Sequence, residues 1–142
     1  MLSQCHELLL TPHYGEFSRL SEIPVESIAA DPIGCARNFA REHGVTLLLK
    51  GTPTVIAQSD CPTLLNTSGT EALASAGSGD VLSGIIAALA AKGEDLFDAA
   101  AAAAWFHGRA GDLASDVASL VSSGMVVDAI QQAIGEIFNI EP

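Results

Sequence analysis

Apolar positions along the chain change period several times. ELLL (Glu7 to Leu10) is a short continuous apolar run stopped by Thr11-Pro12, which predicts a buried strand, and GEFSRL (Gly15 to Leu20) predicts a short helix behind it. Asp31 stands as an N-cap with Pro32 at the first helical position. Ile33, Ala36, Phe39 and Ala40 then recur at helical spacing until Gly44 supplies a stop. VTLLLK (Val45 to Lys50) is apolar until its last residue, Gly51-Thr52-Pro53 turns the chain, and TVIA (Thr54 to Ala57) has the β-branched content of a second strand that would pair as its neighbour. Ser59 to Thr63 reads as a polar turn. Helical patterns follow over Val81 to Lys92 with Gly93 as terminator, from an Asp95 cap through Trp105 and His107, and over Met125 to Asn139, where Val127, Ile130, Ile134 and Ile137 fall on one stripe.

Strands alternating with helices predict an α/β layered domain with a mostly parallel sheet flanked by helices. Only three or four strands are legible, and the helices at the C-terminal end are consecutive. Residues 1–142 therefore read as the second half of a domain.

Composition narrows the function classes. With 142 residues, 49% hydrophobic and 16% charged, the chain belongs with folded globular proteins. Its net charge of −11 disfavours nucleic acid as a partner, although a helix N-terminus and a few backbone N–H groups can still hold a small anion. The longest apolar run, Ala99 to Phe106, is too short to span a bilayer, and MLSQCHELLL lacks the positive charge of a signal peptide, so no membrane partner and a cytoplasmic setting are expected. Cys5, Cys35 and Cys61 are odd in number with no CxxC pair, which points to neither a disulfide framework nor a zinc site.

The chemistry concentrates in ASAGSGDVLSGIIAALA, residues 74 to 90. No lysine followed by Ser or Thr closes it as in a Walker A loop, and Leu82 occupies the third glycine position of a dinucleotide GxGxxG. What remains is a turn feeding a helix N-terminus, where N–H groups and the positive dipole end favour an anion, with Asp80 in the first turn. A capping role accounts for Asp80 alone. It does not account for Gly77 and Gly79 together, nor for Gly84 inside the helix, where glycine costs ~1 kcal/mol relative to alanine.

AGSGDVLSGIIAAL resembles the signature of the ADP/ATP-dependent NAD(P)H-hydrate dehydratases, within the ribokinase-like superfamily. LLTPHYGEFSRL (Leu9 to Leu20), LLLKGTPTVIA (Leu47 to Ala57) and WFHGRAGDLAS (Trp105 to Ser115) fit the same family in the same order. Four ordered matches are far more specific than one. They cover nearly all of this chain but only about the C-terminal half of the family's domain, and Tyr14 departs from the proline usual after that histidine.

The resemblance implies a ribokinase-like layered fold, ADP or ATP with Mg²⁺ as cofactor, and hydrated NADH or NADPH as a small-molecule substrate that is phosphorylated on its hydroxyl and then loses phosphate. It implies that Gly77, Ser78 and Gly79 form an anion hole, that Gly79 contacts the nucleotide, and that Asp80 is the base toward the substrate hydroxyl. It further implies that Lys50, Gly51, Thr52, Pro53 and Thr54 contact the AMP part and that His13 contacts substrate. From the residues alone, Lys50 reads as a solvated strand end and the Gly-Thr-Pro stretch as only a turn, and His13 is equally a loop residue bonded to backbone. Glu16 is read as orienting the TPH loop or acting indirectly on the metal-bound nucleotide, and not as catalytic. His107 is assigned a structural role, with Gly108 and Gly111 packing against the helix that begins at Asp80 and Trp105 and Phe106 in the core. Vitamin or sugar kinases of the same superfamily share the loop and base and form the alternative, as does a non-catalytic remnant. A homo-oligomer, or a further N-terminal half covering the open sheet edge, completes the expectation.

Overall fold

The computed structural model describes residues 7–138. They divide into two compact units, one of residues 7–66 with 95–101 and one of residues 67–94 with 102–138.

The first unit holds a four-stranded sheet in the order β1 (Leu9–Leu10), β2 (Thr46–Leu49), β3 (Thr54–Ala57), β4 (Leu64–Asn66). Between β1 and β2 run α1 (Tyr14–Ser21), α2 (Val25–Ala30) and α3 (Pro32–His43). This helical crossover lets β1 and β2 pair in parallel, with Leu9 opposite Thr46 and Leu10 opposite Leu47. β2 and β3 are antiparallel, with Leu47 opposite Ala57 and Leu49 opposite Val55, and β3 and β4 are antiparallel as well. The expectation of a mostly parallel sheet is thus corrected among the described strands. The reason is length: residues 50–53 suffice for a hairpin, whereas a parallel return needs roughly a dozen residues or more.

Phe17, Ile28, Ala36, Phe39 and Ala40 from the helices bury against Leu47, Leu49, Val55 and Ala57 of β2 and β3. All four residues of β2 are buried, which explains why its apolar run does not alternate. Phe17 and Phe39 meet edge to face, ring centroids 5.1 Å apart. α3 has the predicted punctuation: the Asp31 carboxylate accepts from the Gly34 N–H at 2.8 Å, Pro32 opens the helix, and Gly44 ends it at φ 62°. Ile33, expected on the buried stripe, is instead 39% exposed. Asp31→Ala should cost about 1 kcal/mol through the lost cap, read as a lower urea midpoint at unchanged slope. An unchanged midpoint would show that α3 does not depend on this cap.

The second unit contains α4 (Ser78–Ala90), most of α5 (Leu96–Val117) and α6 (Ser123–Phe138). α5 starts in the first unit, where the Asp95 carboxylate accepts from the Phe97 N–H at 2.8 Å as the sequence predicts. Ala110, Ala114, Val121, Val126 and Ala133 form the buried cluster, with Leu73, Val81, Phe106 and Ile130 packed on it. On α6 the predicted stripe is corrected. Val126 and Ala133 face inward, with Ile130 packed against the same cluster, while Val127, Ile134 and Ile137 are 52%, 37% and 48% exposed. Asn139, the expected end of this helix, lies outside the described residues.

Gly108 and Gly111 of α5 are both buried. A Cβ on Gly108 would lie 2.6 Å from the Ser68 carbonyl oxygen, and one on Gly111 would lie 2.6 Å from Leu73. The glycines therefore admit the 67–74 segment, which corrects the expectation that they admit α4. Among the described residues no helix is long and apolar enough to cross a membrane.

Candidate active site

The candidate residues fall into two groups, one in each unit. In the first unit, the parallel pairing of β1 and β2 continues as a bridge between His13 and Lys50, and the Lys50 N–H donates to the Pro12 carbonyl at 2.8 Å. This register brings the TPH loop beside the end of VTLLLK. His13 then acts as the N-cap of α1: its Nδ1 accepts from the N–H groups of Gly15 (3.0 Å) and Glu16 (3.2 Å). Glu16 returns the contact, its Oε2 accepting from the His13 N–H at 2.8 Å, which closes a capping box.

Glu16 also reaches the cation. Lys50 Nζ lies 3.5 Å from Glu16 Oε2, and His13 Nε2 lies 3.4 Å from Glu16 Oε1. The His13 backbone N–H, aided by the Lys50 ammonium, holds the Glu16 carboxyl below the ordinary carboxylate range. Lys50 is half-buried, and the Gly51-to-Thr54 turn beside it is closed by the Thr54 hydroxyl donating to the Gly51 carbonyl at 3.0 Å. The Thr52-Pro53 bond in this turn is cis.

Tyr14 lies over the same turn. A Cβ on Gly51 would come within 2.9 Å of Tyr14 Cε1 and Oη, so the glycine makes room for the ring. Gly51→Ala should displace that ring, and a cycle with Tyr14→Leu should show a coupling of about 0.5–1.5 kcal/mol in urea unfolding. Strict additivity would show that the ring and the glycine do not interact.

In the second unit, Gly77 precedes α4 at φ +83°, a conformation that glycine adopts freely, and no side chain caps the helix. The Asp80 and Val81 N–H groups close on the Gly77 carbonyl at 3.1 and 3.2 Å. Ser78 is turned inward: its N–H donates to the Ser75 carbonyl at 3.2 Å, and its buried hydroxyl lies 2.9 Å from His107 Nε2. Gly79 is half-buried, and Asp80 is exposed in the first turn. The structural assignment of His107 is thereby given a physical form, since it anchors the serine of the glycine-rich turn. Sequence reasoning missed this hydrogen bond and the Glu16 to Lys50 pair alike, because neither partner carries a local signal for the other.

The sequence pattern that defines the NAD(P)H-hydrate dehydratases matches residues 2–134. The chain belongs to the NAD(P)H-hydrate dehydratase family. An ADP-dependent (S)-NAD(P)H-hydrate dehydratase from Neisseria meningitidis is 41% identical over 129 residues, which are 91% of this chain and 43% of that protein. The Bacillus subtilis ADP/ATP-dependent NAD(P)H-hydrate dehydratase, crystallized with ATP and Mg²⁺, superposes with a TM-score of 0.84 at 32% identity, over 92% of this chain and 48% of its own. A ribokinase-like superfamily protein from Enterococcus faecalis superposes with a TM-score of 0.77 at 27% identity, over 88% of this chain and 43% of its own. The chain thus spans a little under half the length of these family members, and its α/β fold is of the ribokinase-like kind.

Among the described residues, no group of three or more His, Cys, Asp or Glu side chains is placed to hold a metal ion by itself. Cys35 and Cys61 are free thiols, with Cys35 pushed up from its ordinary value by burial, and Cys5 lies outside the described residues.

Proposed function

We propose that this chain forms part of an ADP/ATP-dependent NAD(P)H-hydrate dehydratase that returns hydrated NADH or NADPH to the reduced cofactor. The carrying observation is the 13-residue helix α4, entered through Gly77 with no side-chain cap and with Asp80 in its first turn. A helix start without a side-chain cap favours an anion through the positive end of the helix dipole. In this reading a carboxylate in the same turn, Asp80, serves as the base toward the substrate hydroxyl.

The nucleotide, when bound, supplies the phosphoryl group that turns the hydroxyl of the hydrated ring into a leaving group. In this reading Asp80 accepts the hydroxyl proton as the oxygen attacks phosphorus. Gly77 and Gly79 present backbone to the charge that develops on the transferred group, while Ser78, anchored by His107, fixes the turn. Loss of phosphate, with a proton leaving the adjacent ring carbon, would then restore the ring double bond. Lys50 and the Gly51 to Thr54 turn fit the AMP moiety through one ammonium and exposed backbone groups, and His13 fits the substrate. Mg²⁺ is read as arriving on the nucleotide phosphates, which suits a cation that keeps several waters and few protein ligands.

The test is recovery of NADH absorbance when ADP or ATP with Mg²⁺ is added to NADH hydrate and the full-length protein, with nucleotide affinity measured by calorimetry. Turnover with either nucleotide supports the reading. Activity confined to thiazole or pyrimidine alcohols would replace it with a vitamin kinase, and a folded protein inactive on all of them would replace it with a non-catalytic remnant.

A further inference from the structure

We propose that Glu16 is the positioning residue of the first unit: its Oε2 holds the His13 backbone in the capping box and faces the Lys50 ammonium, and its Oε1 faces His13 Nε2, so that one carboxylate fixes both the cap that sets the His13 tautomer and the place of the cation. The inference rests on the dehydratase reading for the meaning of the ligand contacts, and on geometry alone for the positioning.

Histidine is an uncommon N-cap, since serine, threonine, aspartate and asparagine dominate that place. Here the ring does the work of a short acceptor: Nδ1 takes two backbone N–H groups, from Gly15 and Glu16. A nitrogen that accepts two donors carries no proton, so the neutral ring holds its proton on Nε2. The capping box is completed only by the Glu16 side chain on the His13 N–H. His13 therefore carries its N–H donor at Nε2, beside Glu16 Oε1 at 3.4 Å, and its Nδ1 is taken up by two backbone N–H groups.

The second contact of Glu16 joins this donor to a charge. Lys50 Nζ at 3.5 Å and His13 Nε2 at 3.4 Å flank the two oxygens of one carboxylate. Lys50 and Glu16 are 30% and 41% exposed at their side chains, so the pair is a guide for a flexible ammonium more than a source of stability. A ligand bearing phosphate or carbonyl oxygen would meet one N–H and one ammonium already placed side by side, and would lose less side-chain entropy in ordering them.

Two substitutions separate the roles in the full-length protein. Glu16→Gln keeps an acceptor for the His13 N–H and loses the charge facing Lys50; Glu16→Ala loses both. Without ligand, nitrogen-15 correlation spectra of the His13 ring should show the Nε2–H tautomer in the wild type and in Glu16→Gln, and a mixture of tautomers in Glu16→Ala, which removes both the acceptor of the His13 N–H that closes the capping box and the oxygen facing Nε2. In turnover, Glu16→Gln should raise KM about two- to five-fold, the range expected for an exposed ion pair, with kcat nearly unchanged. Glu16→Ala should raise KM by about a further five-fold, the equivalent of a lost cap.

A wild-type ring protonated on Nδ1 would overturn the proposal, as would a Glu16→Gln protein with wild-type KM. The spectra need no activity, so an inactive protein with the expected tautomers would sink the dehydratase reading while leaving the positioning intact. If Glu16→Ala unfolds, the wild-type and Glu16→Gln spectra and KM values still decide.

Discussion

Asp80→Asn in the full-length protein should lower conversion of NADH hydrate to NADH by about 10²–10⁴-fold, the usual contribution of a positioned base. Nucleotide affinity should remain near that of the wild type. Asp80 is exposed in the first turn of α4, while the helix is entered through Gly77 without a side-chain cap, so asparagine removes no capping bond. Its structural cost is limited to the interaction of one charge with the helix dipole, about 0.3–1 kcal/mol. Loss of turnover with retained binding is the pattern of a group that matters in the transition state. Turnover and calorimetric affinity, measured beside a thermal melt, separate the cases. Near wild-type turnover would reduce Asp80 to a favourable charge at a helix start, and equal loss of turnover and of folded protein would make it structural.

What could be read from the sequence followed how local the determinant is. α3 was legible end to end because Asp31, Pro32 and Gly44 act within one turn of the positions that they punctuate. The strands β2 and β3 were legible from apolar runs, but the sheet's directions were misjudged: the class-level expectation of parallel strands outweighed the short turn at residues 50–53 that dictates a hairpin. α2 and β4 carry six and three residues, too few for a period to show. On α6 two apolar stripes compete, and the choice of Val126 and Ala133 over Val127 and Ile134 is made by what packs against them.

The site divides along the same line. The turn at Gly77 is chain-local and was legible in the sequence, whereas the helix, read from Asp80 or Val81, begins at Ser78 because Gly77 takes the N-cap place and the glycine-rich turn supplies the first helical residues. The Glu16 to Lys50 pair depends on β1 and β2 lying side by side, and the Ser78 to His107 hydrogen bond depends on α4 meeting α5 within the second unit. Neither follows from spacing. Gly84 is a third case: a Cβ there meets nothing within 4 Å, so its expected packing or functional reason is not found in any contact.

Gly108→Ala should destabilise the protein by about 1–3 kcal/mol, although alanine is the better helix former by ~1 kcal/mol. The added Cβ would lie 2.6 Å from the Ser68 carbonyl oxygen and 2.7 Å from its carbon, backbone atoms that cannot rotate away as a side chain would. The segment is also tied down: the Ser68 hydroxyl donates to the Trp105 carbonyl at 3.2 Å, and the Gly69 N–H donates to Asp112 Oδ2 at 3.2 Å. Relief of the clash must break at least one of these ties, and residues 67–76 lead directly into the Gly77 turn, so turnover should fall with stability. Gly84→Ala is the control in the same background. With open space around it, the substitution should stabilise by about 0.5–1 kcal/mol through propensity and leave turnover unchanged. Urea unfolding of the two variants therefore predicts shifts of opposite sign for one chemical change in two helices. A Gly108→Ala protein as stable as Gly84→Ala would mean that the Ser68 backbone does not lie against α5, and the anchoring of the glycine-rich turn from that side would fail with it.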